Sequence, residues 1–138
     1  TLISLTVIMP GKVKRNTQTI VVSQAALCAL IAKFGSDILR LEVRDLITGF
    51  EAYLLTSLPL EDAKRAVCYI EDTHPLGRLF DMDVIDSDGM PMSRQSLGLE
   101  ARKCLICENE ARFCMRNRTH SPEELAAKIE EMVKAYVQ

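Results

Sequence analysis

The sequence predicts an α+β domain with a mixed or mainly antiparallel sheet and helices packed mostly on one face. The main observation is the alternation of short β-rich runs with longer runs of helical spacing. Their order is strand, helix, strand, strand, helix, strand, turn, strand, cysteine-rich loop, helix. No internal repeat or low-complexity linker interrupts this order. We therefore expect residues 1–138 to form a single domain, a length that allows a sizeable core.

The first two elements are a strand and a buried helix. Residues 2–9 are rich in β-branched side chains and predict a strand, which a Pro-Gly pair ends. Residues 20–34 are apolar on almost every side, so they predict a largely buried helix. Gly35 is a plausible end of this helix.

A hairpin and a second helix follow. Residues 38–43 and 50–55 predict two strands joined by a turn that contains glycine. Residues 60–72 predict a helix, because alanine, valine and isoleucine recur there at helical spacing. The charged residues expected on the exposed side of this helix are Glu61, Lys64, Arg65 and Glu71.

The next strand, residues 79–85, carries two acids on one side. Residues two apart share a face of a strand, so Asp81 and Asp83 should point the same way from an otherwise apolar segment. Two like charges repel and lose hydration, and a magnesium ion would offset both costs. Gly77 would let the backbone approach a ligand, and Arg78 can bind a phosphate with two parallel hydrogen bonds. We expect a metal and phosphate site here; a solvated edge strand is the alternative.

Two other cations could extend this site. Lys14 follows the first strand in a basic loop, where it would lie at the rim of a phosphate site or simply be solvated. Arg94 follows the turn at residues 86–89, and a hairpin there would place it on a strand antiparallel to the acids. Its guanidinium would then lie near the metal-bound phosphates. The alternative is a cross-strand ion pair with Asp86 or Asp83.

Three cysteines and a histidine form a second candidate site. Cys104 and Cys107 have Cys-x-x-Cys spacing, and Cys114 with His120 could complete a tetrahedron around zinc. Four protein ligands would leave no open position, so zinc would serve to fold this loop. Buried thiols without a metal are the alternative. Ser121 then begins the last helix as the first residue of a capping box.

The composition bears on several classes of protein. A net charge of −2 and the absence of tryptophan argue against a nucleic-acid partner. We expect no membrane span, because no apolar run approaches the roughly 20 residues that a span needs. Five cysteines, an odd number, favour the reducing cytoplasm over a secreted disulfide framework.

The segment between residues 94 and 118 is locally basic, with six cationic residues and three acidic ones. They could form a basic rim for an anionic substrate or an acidic carrier protein, or a solvated surface.

The chain also resembles a known family. Residues 77–84, Gly-Arg-Leu-Phe-Asp-Met-Asp-Val, are similar to the signature of the holo-acyl-carrier-protein synthases of citrate lyase, which are phosphoribosyl-dephospho-CoA transferases. Residues 9–14, 93–94 and 102–120 agree as well, so the match extends over nearly the whole chain. Members of that family usually carry a further N-terminal segment. This chain opens at Thr1 directly in a strand-like run, so a fragment and a short member both stay open.

The resemblance implies a reaction, and the chemistry of the candidate residues suggests a role for each of them in it. The enzyme would move phosphoribosyl-dephospho-CoA from triphosphoribosyl-dephospho-CoA to a serine of the citrate lyase acyl carrier protein and release diphosphate. Asp81 and Asp83 would hold magnesium against the phosphate under attack, while Arg78 and Arg94 stabilise the leaving diphosphate. The acid-bearing strand resembles the metal-binding strand of nucleotidyltransferases, which is an analogy of fold alone.

Two other classes of protein remain open at this stage. One is a non-enzymatic module that binds a carrier protein or a nucleotide, with the cysteine loop as a structural zinc knuckle. The other is a different metal-dependent nucleotidyltransferase or hydrolase that shares the same strand.

Overall fold

The computed structural model describes residues 1–11 and 14–138, and confirms an α+β fold. Residues 12 and 13 of the basic loop lie outside the described part. The strands and longer helices, in chain order, are β1 Leu2–Val7, α1 Thr17–Phe34, β2 Ile38–Leu46, β3 Gly49–Thr56, α2 Leu60–Thr73, β4 Phe80–Ile85, α3 Ala111–Asn117 and α4 Pro122–Val137.

The strands form one sheet in the order β2-β3-β1-β4, and each neighbouring pair is antiparallel. The sheet is therefore more regular than the mixed or mainly antiparallel one expected. In the register of β1 and β4, Ser4 is opposite Asp83 and Thr6 is opposite Asp81. The acid-bearing strand thus lies at one edge of the sheet, with β1 as its partner.

One face of the sheet is the core. Alternate residues of β1 and β4, such as Leu5, Phe80 and Met82, are at most 1% exposed and pack beneath α1 and α2. Burying a side chain of this size contributes about 1.5–3 kcal/mol. The intervening residues, including Asp81 and Asp83, are only partly buried on the opposite, open face. The expectation that the two acids share a face is confirmed.

Helix α1 begins three residues earlier than predicted. The side chain of Asn16 accepts a hydrogen bond from the Thr19 amide at 2.9 Å and caps the helix. The segment Thr17–Asp37 is long and apolar enough to cross a membrane by length and composition alone, contrary to the expectation that no apolar run approaches that length. In this fold, however, Val22, Ala26 and Leu30 of the helix belong to the core under the sheet.

Helix α2 differs from its prediction on one flank. Lys64 and Glu71 were expected in solvent, but they are 5% and 4% exposed. Glu71 is covered because it lies against the outer edge of β4, where it accepts hydrogen bonds from the Met82 amide and from Arg94 in the chain that follows β4. Helical spacing identifies the face of α2 toward the sheet, but it cannot show that a second face is also covered.

The expected strand after β4 is absent from the described residues. A single bridge joins Ile85 to Pro91, and the chain then enters a 3-10 turn at Gln95–Leu97. Asp86 holds the tight turn, because its side chain accepts hydrogen bonds from the amides of Asp88 and Met90, both at 2.9 Å. Pairing with β4 ends at Met92, whose amide donates to the Val84 carbonyl at 2.8 Å, so the hairpin is shorter than predicted.

The C-terminal part contains one helix that the sequence analysis left as a loop and one that it identified. The loop prediction missed α3, which is only seven residues long. The capping box at Ser121 is confirmed: its hydroxyl accepts from the Glu124 amide, and the Glu124 carboxylate accepts from the Ser121 amide. Ile129 and Val133 of α4 then complete the core.

Candidate functional site

The acid pair on β4 lies in surroundings that do not fully balance its charge. Burial raises the pKa of the Asp83 carboxyl, and the neighbouring charge of Asp81 raises that pKa further. Lys64 and Arg102 act in the opposite direction. Thr6 supplies one weak hydrogen bond, from its hydroxyl to Asp81 at 3.4 Å. A cation between the two carboxylates would relieve this repulsion.

A cavity of about 290 Å³ opens beside Asp81. It lies between the end of β1, the start of α1 and the turn from β2 to β3, and Thr6, Lys14, Gly49 and Glu51 are among its lining residues. Lys14 also donates a hydrogen bond to the carbonyl of Met9, which holds its ammonium group toward the end of β1. The structure therefore brings two sequence-predicted residues, Lys14 and Asp81, to one cavity.

Arg78 occupies the 3-10 turn Gly77–Leu79 immediately before β4. Burial lowers the pKa of its guanidinium, and the positive charge of Arg102 lowers that pKa further. Within the described residues, no acceptor lies within hydrogen-bonding distance of its buried Nε. Since a buried donor without an acceptor is costly, an anion that accepts a hydrogen bond from this Nε would be stabilised.

Arg94 does not lie on the expected strand antiparallel to β4 but is held by acids of α2. Its guanidinium is 9% exposed and donates to Glu71 at 2.8 Å and to Asp72 at 3.1 Å. These are not the predicted partners, Asp86 or Asp83. The physical reason is the short hairpin: once pairing stops at Met92, the chain turns toward α2 rather than along β4.

Gly77 makes a close approach, but to protein. A Cβ atom at this position would lie 2.2 Å from the backbone oxygen of Glu71 and 2.9 Å from that of Ile70. A methyl group cannot fit at those distances. The glycine therefore allows the turn before Arg78 to pack against the end of α2.

Sequence reasoning missed Arg102 as part of this site. Its guanidinium donates to the Gly77 carbonyl at 3.0 Å, and another of its nitrogens lies 3.5 Å from Glu71 Oε2. Arg102 was noted only as one member of a basic segment and of the stretch that carries the resemblance. We call Glu71, Asp72, Arg94 and Arg102 the Glu71 cluster.

The cysteine-rich segment forms the second candidate site. Cys104, Cys107, Cys114 and His120 each offer one ligand atom, and these atoms all lie within 4.8 Å of one another. The Cys107 and Cys114 sulfurs are 3.4 Å apart. Four converging soft ligands with this Cys₃His composition fit a tetrahedral metal such as zinc.

Two local contacts fit the same interpretation. The His120 Nε2 atom is buried and has no hydrogen-bond partner in the described part of the chain, while its Nδ1 atom lies 4.0 Å from the Glu124 carboxylate. Metal-binding histidines commonly present one nitrogen to the metal and the other to a carboxylate. Neighbouring groups, chiefly the Asn109 backbone and then the His120 and Cys114 side chains, lower the pKa of Cys107 to about 7. The thiolate, which is the form that binds metals, is thereby favoured.

Within the described residues, the fold and the two sites define a class of protein: an α+β domain with an acid pair near one sheet edge, an arginine whose buried Nε has no acceptor, and a separate Cys₃His cluster. A family model described as "Apo-citrate lyase phosphoribosyl-dephospho-CoA transferase" matches residues 1–136. The chain belongs to this family.

Curated relatives agree with the family match. A Vibrio cholerae serotype O1 (strain M66-2) protein named "Probable apo-citrate lyase phosphoribosyl-dephospho-CoA transferase" is 45% identical over 98% of this chain and 78% of its own length. The apo-citrate lyase phosphoribosyl-dephospho-CoA transferases of Citrobacter koseri and Escherichia coli (strain SE11) are 35% and 36% identical over 96% of this chain and 74% of their own lengths.

Proposed function

We propose that this protein transfers the phosphoribosyl-dephospho-CoA group from triphosphoribosyl-dephospho-CoA to a serine of the apo-citrate lyase acyl carrier protein. The observation that carries the proposal is the family match over residues 1–136. The acid pair on the open face of β4 supports it, because Asp81 and Asp83 share a face and lack nearby charges that balance them fully.

The chemistry requires positioning more than a reactive group in this chain. The serine oxygen of the carrier protein bonds to the phosphorus attached to the ribose, and the bond from that phosphorus to the diphosphate oxygen breaks. The serine proton passes to a carboxylate or to water. Magnesium, held by Asp81 and Asp83, would supply charge neutralisation at the phosphate under attack.

The cations of the site have separate roles in this proposal. Arg78 contacts the leaving diphosphate, for which its buried, unsatisfied Nε in the described structure is the supporting observation. Lys14 lies at the rim of the cavity beside Asp81 and binds the donor there. Arg94 acts indirectly, because Glu71 and Asp72 already engage its guanidinium.

The direct test is the mass of the acyl carrier protein after incubation with this protein, magnesium and triphosphoribosyl-dephospho-CoA. We expect the carrier to gain the mass of one phosphoribosyl-dephospho-CoA group, with one diphosphate released per carrier. Dephospho-CoA should not serve as a donor, because it lacks the triphosphate whose outer two phosphates leave as diphosphate. An unchanged carrier mass in the presence of a demonstrated protein–carrier complex would contradict the enzyme and favour a binding module.

Replacing Arg78 with lysine should reduce transfer. Lysine keeps a positive charge but cannot make two parallel hydrogen bonds to a phosphate. The loss of one charge-assisted hydrogen bond, about 1.5–3 kcal/mol, corresponds to roughly 10- to 100-fold in kcat/KM. Arg65→Lys on the exposed side of α2 is the matched control and should keep normal kinetics. Equal rates for Arg78→Lys and wild type would show that Arg78 contributes only its positive charge and not two parallel hydrogen bonds.

We also propose that the Cys₃His cluster binds one zinc ion and that the metal folds the segment between β4 and α4. Cys104 and Cys107 precede α3, Cys114 is within it and His120 follows it. A shared metal would connect these parts, which otherwise have few core contacts. Since all four ligands come from protein, the zinc would have no open position for catalysis.

Purified protein should therefore contain close to one zinc per chain by elemental analysis. Removing it with a chelator should lower the thermal midpoint by about 10 °C or more, because metal binding contributes directly to folding. Cys114→Ser should lose the metal, whereas Cys28→Ser, at an exposed cysteine outside the cluster, should retain it. If protein expressed with added zinc contains much less than one zinc per chain, the cluster is a set of buried thiols without a metal.

A further inference from the structure

The carboxylate of Glu71 is a buried charge that the proposed reaction does not use. Its side chain is 4% exposed, and its Oε2 accepts a hydrogen bond from the Met82 amide at 3.0 Å. Met82 lies between Asp81 and Asp83 in β4. This contact therefore holds the strand backbone midway between the two acids.

The Met82 amide needs such an acceptor because of its place in the sheet. β4 is an edge strand, and the hydrogen bond to Glu71 lies on the side away from β1. A buried amide on a strand edge must find a partner. Two residues further on, the Val84 carbonyl accepts from the Met92 amide at 2.8 Å, so ordinary backbone covers that part of the edge. At Met82 a buried carboxylate takes this role.

The same carboxylate connects β4 to the turn that carries Arg78. Its Oε1 accepts from Arg94 at 2.8 Å, and its Oε2 lies 3.5 Å from Arg102. Arg102 in turn donates to the carbonyl of Gly77, the residue immediately before Arg78. The Glu71 carboxylate thus contacts β4 directly, and it is linked to the turn that carries Arg78 through the side chain of Arg102.

We propose that Glu71 is a positioning residue that sets the orientation of Asp81, Asp83 and Arg78 through Met82 and Arg102. It bonds to backbone and to guanidinium groups, so it is distinct from a catalytic residue. The inference rests on the proposed function, because it concerns the geometry in which the acids hold a cation. A displacement of about 1 Å at such a site can reduce a rate roughly 100-fold.

The test is Glu71→Gln in the full chain. Glutamine has nearly the same shape, but it loses the charge and turns an amide donor toward a guanidinium or the Met82 amide. We expect Mn²⁺ affinity, measured by electron paramagnetic resonance, to fall about 10- to 100-fold, as for other groups that orient metal ligands. Transfer should fall similarly and recover in part at high Mg²⁺. The Met82 amide should exchange faster with solvent by NMR.

Asp72→Asn is the matched control. Asp72 also pairs with Arg94, at 3.1 Å, but its side chain is 58% exposed and, among the described residues, hydrogen-bonds only to Arg94. If Glu71 served only to hold Arg94, the two variants would lose Mn²⁺ affinity equally. We expect Asp72→Asn to bind Mn²⁺ as the wild type does, and an equal loss in the two variants would overturn the proposal.

Failure of this inference and failure of the proposed function give different results. Wild-type protein that neither binds Mn²⁺ nor modifies the carrier would overturn the proposed function and, with it, this inference. Wild-type activity combined with unchanged Mn²⁺ affinity in Glu71→Gln would overturn the positioning role alone. If Glu71→Gln does not fold, Glu71→Asp keeps the charge but cannot reach both Met82 and Arg94. An intermediate loss of Mn²⁺ affinity is then expected, and wild-type affinity contradicts the proposal.

Discussion

Asp83→Asn should reduce transfer to the carrier protein by about 10³-fold while leaving the fold intact. Asparagine keeps the shape of the side chain but removes one of the two charges proposed to hold magnesium. Metal stabilisation of a phosphate in a transition state is worth several kcal/mol, which corresponds to this loss of rate. The measurement is the initial rate of carrier modification at saturating magnesium.

The stability of the same variant should move in the opposite direction. The pKa of Asp83 is raised in the folded protein by burial and by Asp81. A carboxyl with a raised folded pKa lowers stability as the pH rises from its unfolded pKa through its folded pKa. The asparagine side chain cannot ionise. Without metal, the variant should therefore be at least as stable as wild type at neutral pH. It should also lack the fall in stability with rising pH that Asp83 causes in wild type.

Asp88→Asn provides the matched control for Asp83→Asn. Asp88 lies in the exposed turn just beyond β4, and its substitution should change neither the rate nor the metal requirement. Near-normal turnover in Asp83→Asn would contradict the proposal that Asp83 binds the metal. A marked loss of thermal stability in the variant would instead indicate that the charged carboxylate supports the fold.

Gly77→Ala should destabilise the protein by about 3 kcal/mol or more, the upper range for overpacking a core. The added methyl group would lie 2.2 Å from the Glu71 carbonyl oxygen, which is backbone at the end of α2 and cannot move aside alone. Gly77 itself does not have a left-handed conformation, so the expected cost comes from packing. Chemical denaturation, followed by circular dichroism, gives the free energy of unfolding.

Gly98→Ala separates packing from backbone conformation. Gly98 has a φ of 71°, and a Cβ there would meet no described atom within 4 Å. Its substitution should cost about 1–2 kcal/mol, the penalty for a left-handed residue with a side chain. A larger loss of stability at Gly98 than at Gly77 would contradict the packing explanation.

Features encoded in short stretches could be predicted from the sequence. The capping box of α4 needs only Ser121, Pro122 and Glu124, and it is present as expected. The shared face of Asp81 and Asp83 follows from the two-residue period of a strand. The Cys₃His group was also recognisable, because its four members lie within 17 consecutive residues and the ligand types are specific.

The Glu71 cluster could not be predicted in this way, because its contacts span 11 to 31 positions in sequence and depend on how α2 lies against β4. Helical spacing assigned Glu71 to solvent, since a charged residue away from the apolar face is usually exposed. Its burial became evident only from the Met82 amide and the two arginines. Arg94 was misplaced for the same reason: its position depends on where the hairpin after β4 stops.

Paramagnetic broadening by Mn²⁺ in amide NMR spectra tests whether Asp81 and Asp83 together bind a divalent cation. We expect low Mn²⁺ to broaden the amide signals of Asp81, Met82 and Asp83 first, together with those of Ser4 and Thr6 across the strand pair. Added Mg²⁺ should reverse the effect, and Asp83→Asn should abolish it. Broadening centred on another part of the protein, or unchanged in the variant, would contradict the claim.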